Sequence, residues 1–434
     1  MGNEKFVNEV NVFTVKFFSQ LKIYCLVIQM THNQSSLLTR TIRAEIENDV
    51  TPRAVLLFGP RRIGKTTLIR QIVGNSGCRW INGDMDGAEQ ALTFRNAGDV
   101  RNALTQAPFL VIDEAHKLSD IGTIVKILVD ENERLETPCR IFLTSSSAFY
   151  LATVKESALG RVVSRQMWPF SLHELAQKLT WGTVNSFMDT FLVNGMMPMV
   201  CLYPESAAEY LEDYCAGYLL RDFYETQQIK HTGVVRRLLE KLARNLGSEI
   251  SYDRLGQELS LSRNTVEDYI ERLQACSLIR VCPSYSRNLD NEMKKGKKIY
   301  FFDNGVRNAL IGDFSPMAQR SDAGALWENF FFMERQKLHD TFRDGTKTYF
   351  WRTTGASPKE IDFLEVRDGN IEAFECKYSA KVRTTRHADF FRKTYPNSRL
   401  SVVHPDDCMR VFRDAYENPV RRNEATDLGV LLRA

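Results

Sequence analysis

The chain has 434 residues, room for roughly three domains at about 150 residues each, every one long enough to bury a core. Its 57 basic and 54 acidic residues leave a net charge of only +3, which excludes a globally basic nucleic-acid binder and confines any such surface to a local patch. Nine cysteines are scattered without a C-x-x-C pair or histidines at ligand spacing, which excludes a zinc-site pattern and fits the reduced thiols of a cytoplasmic protein.

Residues 1–30 are rich in Val, Phe, Asn and Lys without a clear period. The apolar run Ile23 to Ile28 is far shorter than the ~20 residues a bilayer span needs. Lys16 and Lys22 interrupt any secretory core, so no membrane partner is expected. Two readings of this stretch stay open: Met30 is the true start, or residues 1–29 add a short helix or strand to the unit that follows.

The first strong signal is Gly59-Pro-Arg-Arg-Ile-Gly-Lys-Thr66, a complete G-x-x-x-x-G-K-[ST] pattern. It follows the apolar run Ala54 to Phe58 and precedes the helix-compatible Thr67 to Ile72. Glycines let the backbone wrap phosphates, and successive N–H groups at a helix N-terminus face their negative charge. Gly59, Pro60, Arg61, Arg62, Ile63, Gly64, Lys65, Thr66 and Thr67 are therefore expected to hold ATP. Lys65 would reach the β/γ-phosphates and Thr66 the Mg2+ ion.

Strands are expected at 54–58, 79–82, 109–112 and 139–144, alternating with helices in the pattern of a parallel sheet covered on both faces. Phe109-Leu-Val-Ile112 runs into Asp113-Glu114. A carboxylate at a strand's C-terminal end supports Mg2+, and its neighbour polarises the attacking water; these roles fall to Asp113 and Glu114. Ile141 to Ser146 ends in hydroxyls, which makes Thr144 to Ser146 candidates for contact with the γ-phosphate or the water. Arg161 is a candidate to stabilise phosphoryl charge, in cis or from a neighbouring subunit; the trans role requires an oligomer. Ser171-x-x-Glu174 has the spacing of a capping box.

In this order the motifs resemble a group of predicted prokaryotic AAA+ ATPases that end in a restriction-endonuclease-like domain. The resemblance implies an additional-strand P-loop core over residues 31–170. Ser145 stands where the group usually has Gly, and Gly195-Met-Met-Pro198 where Gly-Gly-x-Pro is usual. Asp113-Glu-Ala-His116 also spells a helicase DEAH box, but no second set of arginine-rich helicase motifs follows, so His116 reads as an incidental loop residue.

Residues 171–245 read as a helical lid and linker, with the acidic and aromatic stretch Glu205 to Glu225 as packing. Residues 246–305 read as a winged helix-turn-helix: a first helix over 250–259, a turn at Ser260 to Ser262, a second helix over 263–275 capped by Ser262, and wing strands at 279–281 and 299–302. Lys294, Lys295, Lys297 and Lys298 at the wing tip suit phosphate contacts. Glu267, Asp268 and Glu271 on the second helix would repel phosphates, so wing contacts to DNA or a docked protein are both open.

From 320 to 420 the expected order is helix (325–339), strands (348–352, 361–366, 371–377), helix (385–395) and strand (400–403). Glu328, Asp362 and Glu375-Cys-Lys377 fall on these elements, and positions 375 and 377 share one face of a strand. The order and residues resemble the PD-(D/E)xK nuclease-like fold, with Ile361 in place of the usual Pro. The resemblance implies that Asp362 and Glu375, with Glu328, bind Mg2+ and that Lys377 orients water. Trp351-Arg352 resembles a family pair, and a phosphate role for Arg352 competes with plain surface packing. Many proteins of this fold bind without cutting, so the sequence leaves two outcomes: an ATP switch for a DNA-binding and DNA-cleaving half, or an ATP-driven protein-interaction platform.

Overall fold

The computed structural model describes residues 38–146, 158–219, 224, 232–285, 296–353, 357–379 and 387–417. Residues 1–29, Lys294 and Lys295 lie outside this set. Helix α1 (Ile42–Glu47) leads into β1 (Ala54–Phe58), α2 (Lys65–Val73), β2 (Cys78–Asn82), α3 (Ala97–Thr105), β3 (Phe109–Asp113), α4 (Ile121–Asn132), β4 (Arg140–Ser145) and β5 (Val162–Gln166). The five strands form one parallel sheet in the order β2-β3-β4-β1-β5. Alternate β1 residues serve opposite faces: Val55 and Leu57 join one core with α1 and α2, while Ala54 and Leu56 join another with α3 and α4. That is the period of two that a sheet covered on both sides requires.

Strand β5 is not among the expected strands. It is a sheet edge in which buried and half-buried residues alternate, and its polar Ser164, Arg165 and Gln166 hide the apolar signal. Its tail is nevertheless central, because Met167 donates its N–H to the Phe58 carbonyl at 2.8 Å and backs onto the loop after β1. Gly59, at φ 149°, lies so close that a Cβ there would come to 2.1 Å from the Met167 carbonyl oxygen. No larger residue fits.

The helical middle comprises α5 (Leu172–Ser186), α6 (Met188–Asn194), α7 (Ala207–Gly217) and α8 (Thr232–Arg244). The capping box at the start of α5 forms as its spacing predicts, with Ser171 accepting from the Glu174 N–H and Glu174 accepting from the Ser171 N–H. Next come β6 (Glu249–Ile250), α9 (Tyr252–Leu259), α10 (Arg263–Ala275), β7 (Ile279–Pro283) and β8 (Lys297–Phe301), whose strands pair antiparallel in the order β6-β8-β7. Ser251 and Ser262 cap the two helices by accepting from the N–H groups of Arg254 and Thr265.

After α11 (Asn304–Ile311), the long helix α12 (Ala323–Phe342) precedes β9 (Lys347–Arg352), β10 (Glu360–Arg367), β11 (Asn370–Cys376), α13 (Ala388–Thr394), β12 (Ser398–Val403) and α14 (Cys408–Glu417). The sheet order is β12-β11-β10-β9, antiparallel except for the parallel pair β11 and β12. Helix α14 was not anticipated. One buried cluster runs from Val55 and Phe142 through Phe170, Tyr300 and Trp327 to Phe363 and Phe412, so the five-stranded sheet and the C-terminal sheet share apolar contacts without a break.

Candidate functional site

The loop after β1 turns into α2 with Gly64 at φ 93°, the left-handed conformation glycine tolerates. Lys65 is buried, and its Nζ donates to the Gly59 and Pro60 carbonyls at 2.8 and 2.9 Å. The Thr66 hydroxyl lies 3.1 Å from both carboxylate oxygens of Asp113, which ends β3. Thr144, at the end of β4, donates its hydroxyl to Asp113 at 2.5 Å and accepts the Glu114 N–H at 2.8 Å. One hydroxyl thus sets the spacing of the two acids.

Glu114 takes a left-handed backbone, φ 49° and ψ 44°, which is uncommon for a non-glycine residue and concentrates at functional sites. Its carboxylate lies 3.3 Å from His116 Nδ1, and the other ring nitrogen of His116 lies 3.3 Å from the Ser146 hydroxyl. His116 is buried and joins Glu114 to β4, a contact that its reading as an incidental loop residue missed. Replacing His116 by Ala should lower kcat for ATP about tenfold, the equivalent of roughly 1.4 kcal/mol of lost orientation, with KM little changed. Steady-state kinetics on a variant with wild-type thermal stability checks this; an unchanged kcat removes the positioning role.

Thr66 and Asp113 fit a Mg2+ ion, because they bring a hydroxyl and an acceptor-only carboxylate together at the mouth of the loop. Arg161 stands elsewhere. Its carbonyl accepts the Ala54 N–H at 2.9 Å, so it lies at the start of β5 beside the start of β1, a full five-residue strand away from the phosphate loop. Five residues at about 3.3 Å each place it ~15 Å away, and its guanidinium pairs with Asp130 of α4. A charge-stabilising role for Arg161 in cis draws no support from this position.

Arg40 carries no motif that points to the loop. Buried beside the loop, it donates to the Ile63 carbonyl at 2.8 Å, the Trp168 carbonyl at 2.5 Å and the Glu174 carboxylate at 3.0 Å. Tyr214 of α7 donates to the Arg61 carbonyl at 3.4 Å, and the Arg62 guanidinium sits 4.6 Å from the Tyr218 ring. The acidic and aromatic stretch expected only to pack therefore also contacts the loop.

The second candidate cluster lies where α12, β8, β10 and β11 meet. Lys298 Nζ is 3.1 Å from Glu328 and 2.7 Å from Glu360, and Tyr300 donates its hydroxyl to Glu328 at 2.6 Å. Asp362 accepts the Cys376 N–H at 2.7 Å, and Glu375 pairs with Lys377 at 2.7 Å. Burial pushes the Glu328 carboxyl up to about 7 despite the Lys298 ammonium, and the Asp362 charge adds to the rise. Burial also raises Glu375, again with help from Asp362. For Lys298, burial pulls the ammonium down, but Glu328, Asp362 and Glu360 together hold it above its ordinary value.

The basic groups expected to meet phosphate have partners within the chain. Lys298 faces the protein interior and has no phosphate to meet, while Lys297 pairs with Glu267 and lies over the Tyr252 ring. Arg352, given a phosphate role by resemblance, pairs with Glu249 of β6 at 2.8 Å and reaches Glu360 at 3.8 Å.

Residues 51–176 match the family described as AAA domain. This match and the phosphate loop support an AAA+-like ATPase fold for that unit. Residues 186–316 and 323–416 match two families described as domains of unknown function, DUF8612 and DUF4143. Uncharacterized proteins of Mycobacterium tuberculosis and Mycobacterium bovis are each 26% identical over 394 residues, covering 89% of this chain and 82% of theirs. An uncharacterized protein of Methanocaldococcus jannaschii is 23% identical over 308 residues, covering 61% of this chain and 63% of its own. Among solved structures, a Walker-type ATPase of Pyrococcus abyssi aligns at a TM-score of 0.45 with 14% identity, over 64% of this chain and 97% of that one. No helix among the described residues is long and apolar enough to cross a membrane.

Proposed function

We propose that the chain is a Mg2+-dependent ATP hydrolase whose nucleotide state acts as a switch on its C-terminal half. The observation that carries this reading is the continuous link Thr66–Asp113–Thr144–Glu114 at the mouth of the phosphate loop. Mg2+, if bound there, would supply charge neutralisation for phosphoryl transfer. Thr66 and Asp113 hold the ion through its oxygen shell. Lys65 leaves the Gly59 and Pro60 carbonyls for the phosphates, and the N–H groups of residues 59–67 cradle them. Glu114, steadied by His116, orients and polarises the water. Arg161 of a neighbouring copy supplies charge in trans, which makes the working form an oligomer.

Four contacts support the coupling to the C-terminal half. Trp168 Nε1 donates to Asp340 at 2.8 Å, the Leu172 N–H to Glu334 at 2.9 Å, Lys337 to the Phe170 carbonyl at 2.7 Å, and Gln166 to Ser277 at 2.9 Å. The first three join the tail of β5 and the start of α5 to α12. As output, a protein partner is favoured over DNA, because among the described residues of the helix-turn-helix unit Arg263 pairs with Asp253, Arg272 with Asp268 and Lys297 with Glu267.

Lys65→Ala should abolish tight ATP binding and turnover, measured by calorimetry and phosphate release. Turnover at the wild-type rate in that variant overturns the ATPase reading, whereas salt-sensitive DNA binding by the intact protein overturns the choice of a protein partner.

A further inference from the structure

The resemblance of the C-terminal unit to metal nucleases asks for a divalent ion among Glu328, Asp362 and Glu375, and the residues present do not fit one. Each carboxylate already has a donor from the chain itself: Glu328 takes Lys298 and the Tyr300 hydroxyl, Asp362 takes the Cys376 N–H, and Glu375 takes Lys377. Among the described residues no group of three or more His, Cys, Asp or Glu side chains is placed to hold a metal. A divalent ion with oxygen ligands at 2.0–2.6 Å would have to share the pocket with the Lys298 ammonium.

Lys298 is built into this position. Its side chain is 1% exposed, and an ammonium has three donors. Three oxygens face it: Glu328 at 3.1 Å, Glu360 at 2.7 Å and the Asp362 carbonyl at 3.4 Å. Tyr300 is two residues further along β8, hence on the same strand face, and it meets the same Glu328 oxygen. The pairing of β10 with β9 shifts register between Ile361 and Leu364, where Asp362 sits, and that residue's carbonyl faces the lysine.

We propose that Lys298 is the resident cation of the C-terminal cluster. It takes the place of the metal that the resemblance implies, so this domain binds no Mg2+ there and cuts no nucleic acid. The ammonium instead fastens the three-stranded sheet to the C-terminal sheet, with the pair of Arg352 and Glu249 as a second tie across the same seam. The inference does not depend on ATP hydrolysis, and its test reads neither nucleotide nor phosphate.

The experiment uses the full chain without nucleotide in an Asp113→Asn background, so that the phosphate-loop site takes up no metal. Mn2+ binding is followed by electron paramagnetic resonance, and cleavage of single- and double-stranded DNA is assayed in parallel with Mg2+ and Mn2+. The chain with Lys298 should bind no Mn2+ at millimolar concentration and cleave nothing. Lys298→Ala should gain one Mn2+ site, at least tenfold tighter than any binding by the parent and lost again on adding Glu328→Gln. One bound Mn2+ in the parent chain, or cleavage that Lys377→Ala removes, overturns the proposal. So does a folded Lys298→Ala chain that takes up no Mn2+. If Lys298→Ala does not fold, Lys298→Arg carries the test: it must exclude Mn2+ and leave DNA intact, and uptake or cleavage overturns the proposal.

Discussion

Replacing Glu114 by Gln is expected to lower ATP turnover by about a hundred- to ten-thousandfold while ATP binding stays near that of the parent. A positioned general base contributes roughly this much, and Gln keeps the size of the side chain but cannot take up the water's proton. The effect should be separable from binding because Lys65, Thr66 and Asp113 are untouched. Thr144 also holds the Glu114 backbone through its N–H, so the amide side chain would sit where the carboxylate does. Single-turnover hydrolysis alongside equilibrium binding of ATP makes the measurement. Turnover within threefold of the parent would show that another group activates the water.

The second large effect is on stability. Arg335 on α12 makes two hydrogen bonds to Glu365 of β10, one of them 2.7 Å long, with both side chains almost fully buried. Arg335→Met leaves the Glu365 charge facing only His339 and should cost about 3–5 kcal/mol, the range for breaking a buried pair from one side. Urea denaturation checks this. Adding Glu365→Leu to Arg335→Met should recover part of the loss, because no uncompensated charge then remains.

The same network fixes a pH dependence. Burial pulls the His339 imidazole down, but Glu365 at 3.0 Å and Asp344 at 2.7 Å outweigh it and raise His339 from 6.5 to about 9. A folded-state value above the unfolded one means that the stabilisation is fully present below about 6.5 and is lost as pH rises toward 9. Thermal unfolding of the protein should therefore shift to lower temperature across that window, and His339→Gln should flatten the slope.

The phosphate loop and the four strands that flank it were legible because their signals are local: an apolar run, glycines at fixed offsets, an acid at a strand end. The helix caps at Ser171 and Ser262 were legible for the same reason. What sequence reasoning missed depends on partners distant in the chain. Arg40 meets Glu174 across 134 positions, and nothing near Arg40 announces that it braces the loop. Lys298 belongs to a lysine-rich run that reads as a solvated tip, yet strand alternation puts it on the face of Tyr300, and its carboxylate on Glu328 lies 30 positions away. That alternation was the available signal, and the charge of the run concealed it. Arg161 shows the complementary limit: its motif was visible, but the end of the sheet it occupies follows only from the pairing of β5 with β1.

Helix α12 carries Glu328 near one end and Asp340 near the other, twelve residues and therefore ~18 Å apart. From Leu326 to His339 only Glu328 is not buried in the chain's own packing. A rod enclosed on every side has no room to tilt by degrees, since interiors packed to crystal density accept discrete rearrangements rather than continuous ones. Under the proposed switch, partial occupancy of the nucleotide site would then yield a mixture of discrete arrangements of this helix, and a probe at the far sheet would report their proportions without any halfway signal.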